Sequence, residues 1–340
     1  MQCRNIVVVG GSAGAVEALR EVIRNLPADF PASIFVTIHF PEGGKSALPQ
    51  ILTRAGPLPA AHPSDGEAIE RGRIYVAPPD HHLLVHDDTI QLSRGPRENG
   101  YRPAVDPMFR SAAVRFGPRV IGVVLSGNLD DGTSGLAAIK RHGGLALVQD
   151  PRDAVFDSMP RSALEHVRVD RVATAHELSD VIVRCVNDPV PDGATVPVLH
   201  DVRENEYSEA DVSAIESPDE HPGEVSAFSC PDCGGVVWRI QEGDFVRFRC
   251  RVGHGWTAEA LIVEQADQVD DALWAALRAL EERASLLRTI VARYVRSGSK
   301  SLAARFQAQA EQIEARARLV RDLIMRHREI EIHEEARKSG

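Results

Sequence analysis

Over the first 188 residues, short apolar runs alternate with amphipathic stretches. Runs at 5–9, 33–39, 73–77, 119–125 and 144–148 predict strands. All but the third are apolar at successive positions, as strands covered on both faces are. Between them, 16–26, 108–116 and 134–142 carry apolar residues at three- and four-residue steps, which predicts helices. This alternation predicts an α/β fold with a doubly wound, mostly parallel sheet over residues 1–188. The segments 83–86 and 89–92, split by Asp87-Asp88, predict a hairpin at one edge.

After residue 188 the periodicity lapses. Residues 189–227 hold five prolines, ten acidic residues and a single arginine, Arg203. Such a stretch offers too little apolar surface to offset its ordering entropy, so an acidic flexible linker is expected. A tether of this length has a typical span of about 35 Å, enough for the C-terminal segments to gate or dock at the first domain. Residues 228–257 form a cysteine-rich module. From 258 to 340 a helical stripe returns, with Leu273, Leu277, Leu280, Ala284 and Leu287 on one side of a Ser297-Gly298-Ser299 break and Phe306, Ile313, Ala317, Val320 and Ile324 on the other. Two readings suit it: an antiparallel helical hairpin, or a long coiled coil that makes a homodimer.

Composition narrows the field. The 340 residues carry a formal charge of −10, which argues against a general nucleic-acid binder. No apolar run reaches the ~18 residues that span a bilayer, and the start of the chain shows no signal peptide, so a cytoplasmic protein without membrane insertion is expected. Five cysteines in such a chain make a poor disulfide framework. Cys3 and Cys185, with no partner nearby in sequence, are expected as small buried hydrophobes.

The first run ends in Gly10-Gly11-Ser12-Ala13-Gly14 and leads straight into a helix, the outline of a nucleophile elbow at the carboxyl edge of a sheet. A dinucleotide fingerprint would need glycine in place of Ser12 and an acid closing the second strand, where Thr37-Ile38-His39 stands instead. His39 ends that second strand. The 119–125 run opens into Ser126-Gly127-Asn128-Leu129-Asp130-Asp131-Gly132, which adds an acid at a third strand end. Serine, histidine and aspartate at three carboxyl ends suit acyl transfer. Each also has a plainer reading, His39 as a buried histidine bonded to backbone and Asp131 as a helix N-cap.

Taken together with Asn99-Gly100-Tyr101-Arg102-Pro103-Ala104-Val105-Asp106 and Met159-Pro160-Arg161, these segments resemble the catalytic domain of the chemotaxis protein-glutamate methylesterase family over residues 4–185. The resemblance implies a serine hydrolase of signal transduction. Its reaction would be hydrolysis of glutamate methyl esters on a methylated chemoreceptor or related protein, with possible glutamine deamidation and no catalytic cofactor. The family's triad falls on Ser12, His39 and Asp131, and its oxyanion loop on Ala13, Asn128 and Leu129. The resemblance also implies a form without the family's N-terminal receiver domain. Two departures stand out: the family's Met-Gly before the aspartate loop is Asn128-Leu129 here, and Ala15 replaces a glycine. A catalytically weakened regulatory or protein-binding member of the same fold is therefore the alternative.

Cys230-Pro231-Asp232-Cys233-Gly234-Gly235, followed by Cys250 and His254, has the spacing of a zinc ribbon. The module is too short to fold on an apolar core, so structural zinc is expected to supply its folding energy. A redox Cys-x-x-Cys is the competing reading, and His221 is a competing fourth ligand. Arg239, Arg247, Arg249 and Arg251 give this module a local basic face.

Overall fold

The computed structural model describes residues 3–39, 44, 46–190, 198–209, 223–242 and 245–338, with the side chains of 199, 242 and 327–338 outside that description. The chain forms two compact units, Met1–Leu261 and Ile262–Gly340.

The first unit opens with β1 (Ile6–Gly11), α1 (Ala15–Arg24), β2 (Ser33–Ile38), α2 (Leu48–Ala55), β3 (Ala60–Ala61) and β4 (Ile74–Val76). The hairpin β5 (His82–Val85) and β6 (Ile90–Ser93) comes next, then α3 (Val105–Phe116), β7 (Val120–Val124), α4 (Thr133–Arg141), β8 (Leu145–Gln149), α5 (Ser158–His166), β9 (Arg171–Ala173) and α6 (Ala175–Asn187). Among the described residues, β3-β4-β2-β1-β7-β8-β9 pair in that order, every pair parallel. All six residues of β1 are buried. Val7 and Val9 meet α1 and α6 through Leu19, Ile23 and Leu178, while Ile6 and Val8 face α3 and α4 through Met108, Phe109 and Ile139. That two-sided burial explains the unbroken apolar runs. β4 is buried as fully as its neighbours, against the expectation for the third run.

β1 hands the chain to α1 and β2 on one side, and β7 hands it to α4 and β8 on the other. Their carboxyl ends therefore part and leave a crevice at the switch point.

The acidic stretch differs from the expected tether. Residues 191–197 and 210–222 lie outside the described residues, but α7 (Leu199–Glu209) is a helix. It buries Asp201, Glu204, Asn205 and Ser208, an inward stripe at helical spacing made of polar groups. The ribbon comes after it as an antiparallel sheet of β10 (Glu224–Ser229), β11 (Val236–Glu242), β12 (Phe245–Cys250) and β13 (Gly255–Thr257). It belongs to the first unit, and its Gly255 bridges to Glu98.

Two long helices, α8 (Ala258–Arg296) and α9 (Lys300–Lys338), close the chain. Ala284 and Leu287 pack with Ala310 and Ile313, and Leu277 with Ala317 and Ile324. Partners move away from the 297–299 turn together, so the pair is an antiparallel hairpin. Tyr294 and Phe306 stack near the turn with ring centroids 5.6 Å apart.

Candidate active site

Ser12 follows β1 directly, and its placement is a backbone matter. Its N–H donates to the Ser126 carbonyl after β7 at 2.9 Å, and Ser126 Oγ donates back to the Ala13 carbonyl at 2.8 Å. Gln149 Oε1 accepts the Ser126 N–H from the next strand at 2.9 Å. Two glycines allow the approach. Gly14 takes φ +74° beside Val155 and Phe156. A Cβ on Gly127 would lie 2.1 Å from Met159 Sδ and 2.9 Å from Ser12 Cβ.

His39, at the end of β2, stands between the other two groups. Its Nδ1 is 3.1 Å from Ser12 Oγ and its Nε2 is 2.6 Å from Asp131 Oδ2. A carboxylate at Nε2 holds the proton there and leaves the Nδ1 lone pair facing the serine. The Tyr101 ring stacks on the imidazole with centroids 3.8 Å apart and planes 7° from parallel.

Asp131 is buried and also accepts the N–H groups of Val105 at 2.7 Å and Asp106 at 3.2 Å, and Asn99 Nδ2 at 3.3 Å. Burial would raise its pKa, but the His39 bond and charge and the two backbone donors hold it below the usual carboxylate range. It is not the cap of α4, whose N-cap is Gly132. The neighbouring Asp106 goes the other way: burial first, then the Asp131 charge, push it well above that range. Its Oδ1 accepts the Gly135 N–H at 2.6 Å.

The residues expected at the oxyanion divide. Among the described residues, nothing accepts the N–H of Ala13 or of Asn128, and Asn128 is exposed. Leu129 takes φ +59° and packs against the ribbon's apolar cluster. The sequence pattern marks Asn99 and Tyr101 only as parts of a motif and assigns neither a role. Their one local signal is the Asn-Gly turn inside that motif.

In the ribbon, one ligand atom each from Cys230, Cys233, Cys250 and His254 lies within 4.8 Å of the others. His254 Nδ1 is 3.7 Å from Cys230 Sγ and 3.4 Å from Cys250 Sγ, and the Cys233 and Cys250 sulfurs are 3.6 Å apart. A tetrahedral zinc with 2.3 Å bonds to sulfur has edges of about 3.8 Å, so this donor set fits the ion. Asp232 Oδ2 lies 4.0 Å from the outer nitrogen of His254. His221 lies outside the described residues. Cys3 is exposed, against the expectation, whereas Cys185 is half-buried and packs against the core of the first unit.

Half of the expected basic face is consumed inside the fold, while Arg239 and Arg251 stay exposed. Arg247 and Arg249 are buried and share Glu98 and Glu204, Arg247 at 3.0 and 2.9 Å and Arg249 at 3.1 and 2.5 Å. Arg110 of α3 adds a 2.6 Å bond to Glu98. Burial opposes ionisation of Glu98, but the Arg110, Arg249 and Arg247 charges keep it well below the usual range. Asp201 of α7 pairs with Arg141 and His142. The loop at Glu98, α3, α7 and the ribbon thus share one buried charged seam.

A doubly wound domain with serine, histidine and aspartate in one hydrogen-bond chain has the outline of a serine esterase. Residues 7–182 match the family described as CheB methylesterase, and the chain belongs to that family. It is 34% identical over 191 residues to protein-glutamate methylesterase/protein-glutamine glutaminase 2 of Methanosarcina mazei, covering 54% of this chain and 52% of that protein. It is 38% identical over 173 residues to the protein of the same name from Anaeromyxobacter dehalogenans, covering 51% of each. The chain therefore spans about half the length of these curated relatives. The crystal structure of the Thermotoga maritima CheB methylesterase catalytic domain matches with a TM-score of 0.51 at 33% identity, covering 53% of this chain and 97% of that one. Among the described residues, no helix is long and apolar enough to cross a membrane.

Proposed function

We propose that this chain hydrolyses glutamate methyl esters on chemoreceptor-like proteins, with Ser12 as nucleophile, His39 as general base and acid, and Asp131 as the group that orients His39. The observation that carries this reading is His39 bridging Ser12 Oγ and Asp131 Oδ2 at 3.1 and 2.6 Å. Ser12 attacks the ester carbonyl while Nδ1 takes its proton. The ionised Asp131 stabilises the imidazolium, which then protonates methanol as it leaves. Water, deprotonated by the same nitrogen, releases glutamate from the acyl enzyme. The N–H groups of Ala13 and Asn128 are the donors available to the oxyanion, each worth about 3 kcal/mol in comparable sites.

The surroundings favour a protein substrate. Ser12 is half-exposed, and Val155 and Phe156, 71% and 42% exposed, form an apolar lip beside Gly14. A glutamine side chain would pass through the same tetrahedral intermediate with ammonia leaving, and the relatives' names include a glutaminase. We assign structural zinc to Cys230, Cys233, Cys250 and His254, where it would supply folding energy and take no part in the ester chemistry.

The test is methanol release from membranes bearing methylated chemoreceptor. The full chain is expected to release methanol, and Ser12→Ala to reduce release to background. Equal release by both proteins would refute the reading.

A further inference from the structure

The acid of the triad leans on the ribbon at three successive positions. Leu129 packs against the cluster of Cys230, Val237, Cys250 and Trp256. Asp130 Oδ1 accepts Thr257 Oγ1–H at 2.7 Å. Asp131 Oδ1 accepts Asn99 Nδ2 at 3.3 Å, and Asn99 Oδ1 in turn accepts the Thr257 N–H at 2.8 Å. The backbone repeats the link: the Asn99 N–H donates to the Gly255 carbonyl at 2.8 Å and the Gly255 N–H to the Arg97 carbonyl at 3.1 Å.

The strand that makes these bonds starts one residue after His254. The turn before it is closed by the Cys250 N–H on the His254 carbonyl at 3.0 Å. Whatever holds Cys250 and His254 together therefore also holds the register of β13 against residues 97–99.

We propose that Asn99 and Thr257 are positioning residues through which a zinc ion held by Cys230, Cys233, Cys250 and His254 sets the orientation of Asp131, so that turnover at Ser12 depends on occupancy of the ribbon. The proposal rests on the esterase reading of Ser12. Its physical basis is that an amide can serve both sides at once. Asn99 receives the ribbon's N–H on one atom and gives its own N–H to the triad acid on the other, so displacement of the strand displaces the donor. Asn99 sits at φ +54°, a conformation that asparagine and glycine tolerate better than other residues, so the side chain and the turn are set together.

The experiment compares the full chain loaded with zinc and stripped by a chelator under reducing conditions. Two readouts are followed: kcat and KM on a small soluble methyl ester, and hydrogen exchange at the amides of Asn99, Gly255 and Thr257. Stripping is expected to lower kcat about 10-fold with KM within about 2-fold, as loss of an outer-shell partner does elsewhere. Protection at those three amides is lost while β1 and β2 keep theirs, and zinc restores both readouts. Asn99→Asp keeps the acceptor for Thr257 and tolerates the turn but faces Asp131 with a carboxylate. It is expected to lower kcat similarly with zinc bound and Thr257 still protected. Asn99→Gly, free of backbone strain, is expected to lower kcat as well. Unchanged kcat and protection after stripping would overturn the proposal, as would full activity of Asn99→Asp. Loss of protection throughout β1 and β2 on stripping would also overturn it, because zinc would then hold up the whole unit. Hydrolysis that survives Ser12→Ala refutes the esterase reading instead, and the exchange data still decide the coupling.

Discussion

Ser12 and Asp131 stand at the two ends of one hydrogen-bond chain, yet different physics holds each end. Ser12 and His39 finish strands whose side chains are buried among Val7, Val9, Leu19 and Ile38. Area removed from water fixes them, through backbone bonds between neighbouring strand ends. Asp131 sits in a loop braced by polar groups: Asn99, Thr257 and, behind them, the seam of Glu98, Glu204, Arg110, Arg247 and Arg249. Apolar burial is non-directional and tolerates substitution. A buried ion network is directional, and removing one member leaves a charge uncompensated. The nucleophile end should therefore survive perturbations of the ribbon that disturb the acid end.

The sharpest way to break this contrast is at Glu204. Glu204→Gln leaves Arg247 and Arg249 short of one counter-charge in a site where all three are at least 97% buried. It should destabilise the first unit by about 4 kcal/mol, measured by urea unfolding. Replacing the pair together, Glu204→Leu with Arg249→Met, should recover part of that loss. Leu19→Ala on the apolar side should cost about 3 kcal/mol, with no second substitution that restores it by charge. If Glu204→Gln is as mild as a surface change, the seam does not mount the ribbon.

The pH dependence gives a finer test, because two buried groups on the polar side oppose each other. His82 donates to the Pro96 carbonyl and accepts the Ala104 N–H, and burial drops its pKa to about 4. Unfolding lets it bind a proton near pH 6.5, so its contribution is full above that pH and is lost as pH falls towards 4, about 3 kcal/mol in all. Burial raises Asp130 to about 7, so its native state keeps a proton that the unfolded state releases near pH 3.8. Stability from Asp130 is greatest at low pH and falls as pH climbs towards 7. Between pH 4 and 6.5 the two slopes largely cancel. His82→Gln should leave stability that falls as pH rises, and Asp130→Asn stability that rises with it. Thermal melts across that window read both, and parallel curves for the two variants would contradict the assignment.

How much of this is visible in the chain depends on the same contrast. α1 buries Ala15, Ala18, Leu19, Val22 and Ile23, a stripe that hydropathy finds at once. α7 buries Asp201, Glu204, Asn205 and Ser208 with the same helical spacing, and hydropathy reads that stripe as solvated linker. The partners that make it a buried face, Arg141, Arg247 and Arg249, are remote in sequence, so only the fold reveals the pairing. Ser12, His39 and Asp131 are legible because strand ends and glycine turns mark them locally. Asn99 is not, because its work is to link the triad acid to a strand 158 residues away. The cysteine spacing announces a donor set that could hold a metal, but nothing in it announces where the ribbon is mounted.

The most direct test of the account is to label the zinc-loaded full chain with a fluorophosphonate and map the adduct by mass spectrometry. A single adduct on Ser12, abolished in His39→Ala and strongly slowed in Asp131→Asn, is the predicted result. Labelling of a different serine, or of Ser12 at an undiminished rate without His39, would contradict it.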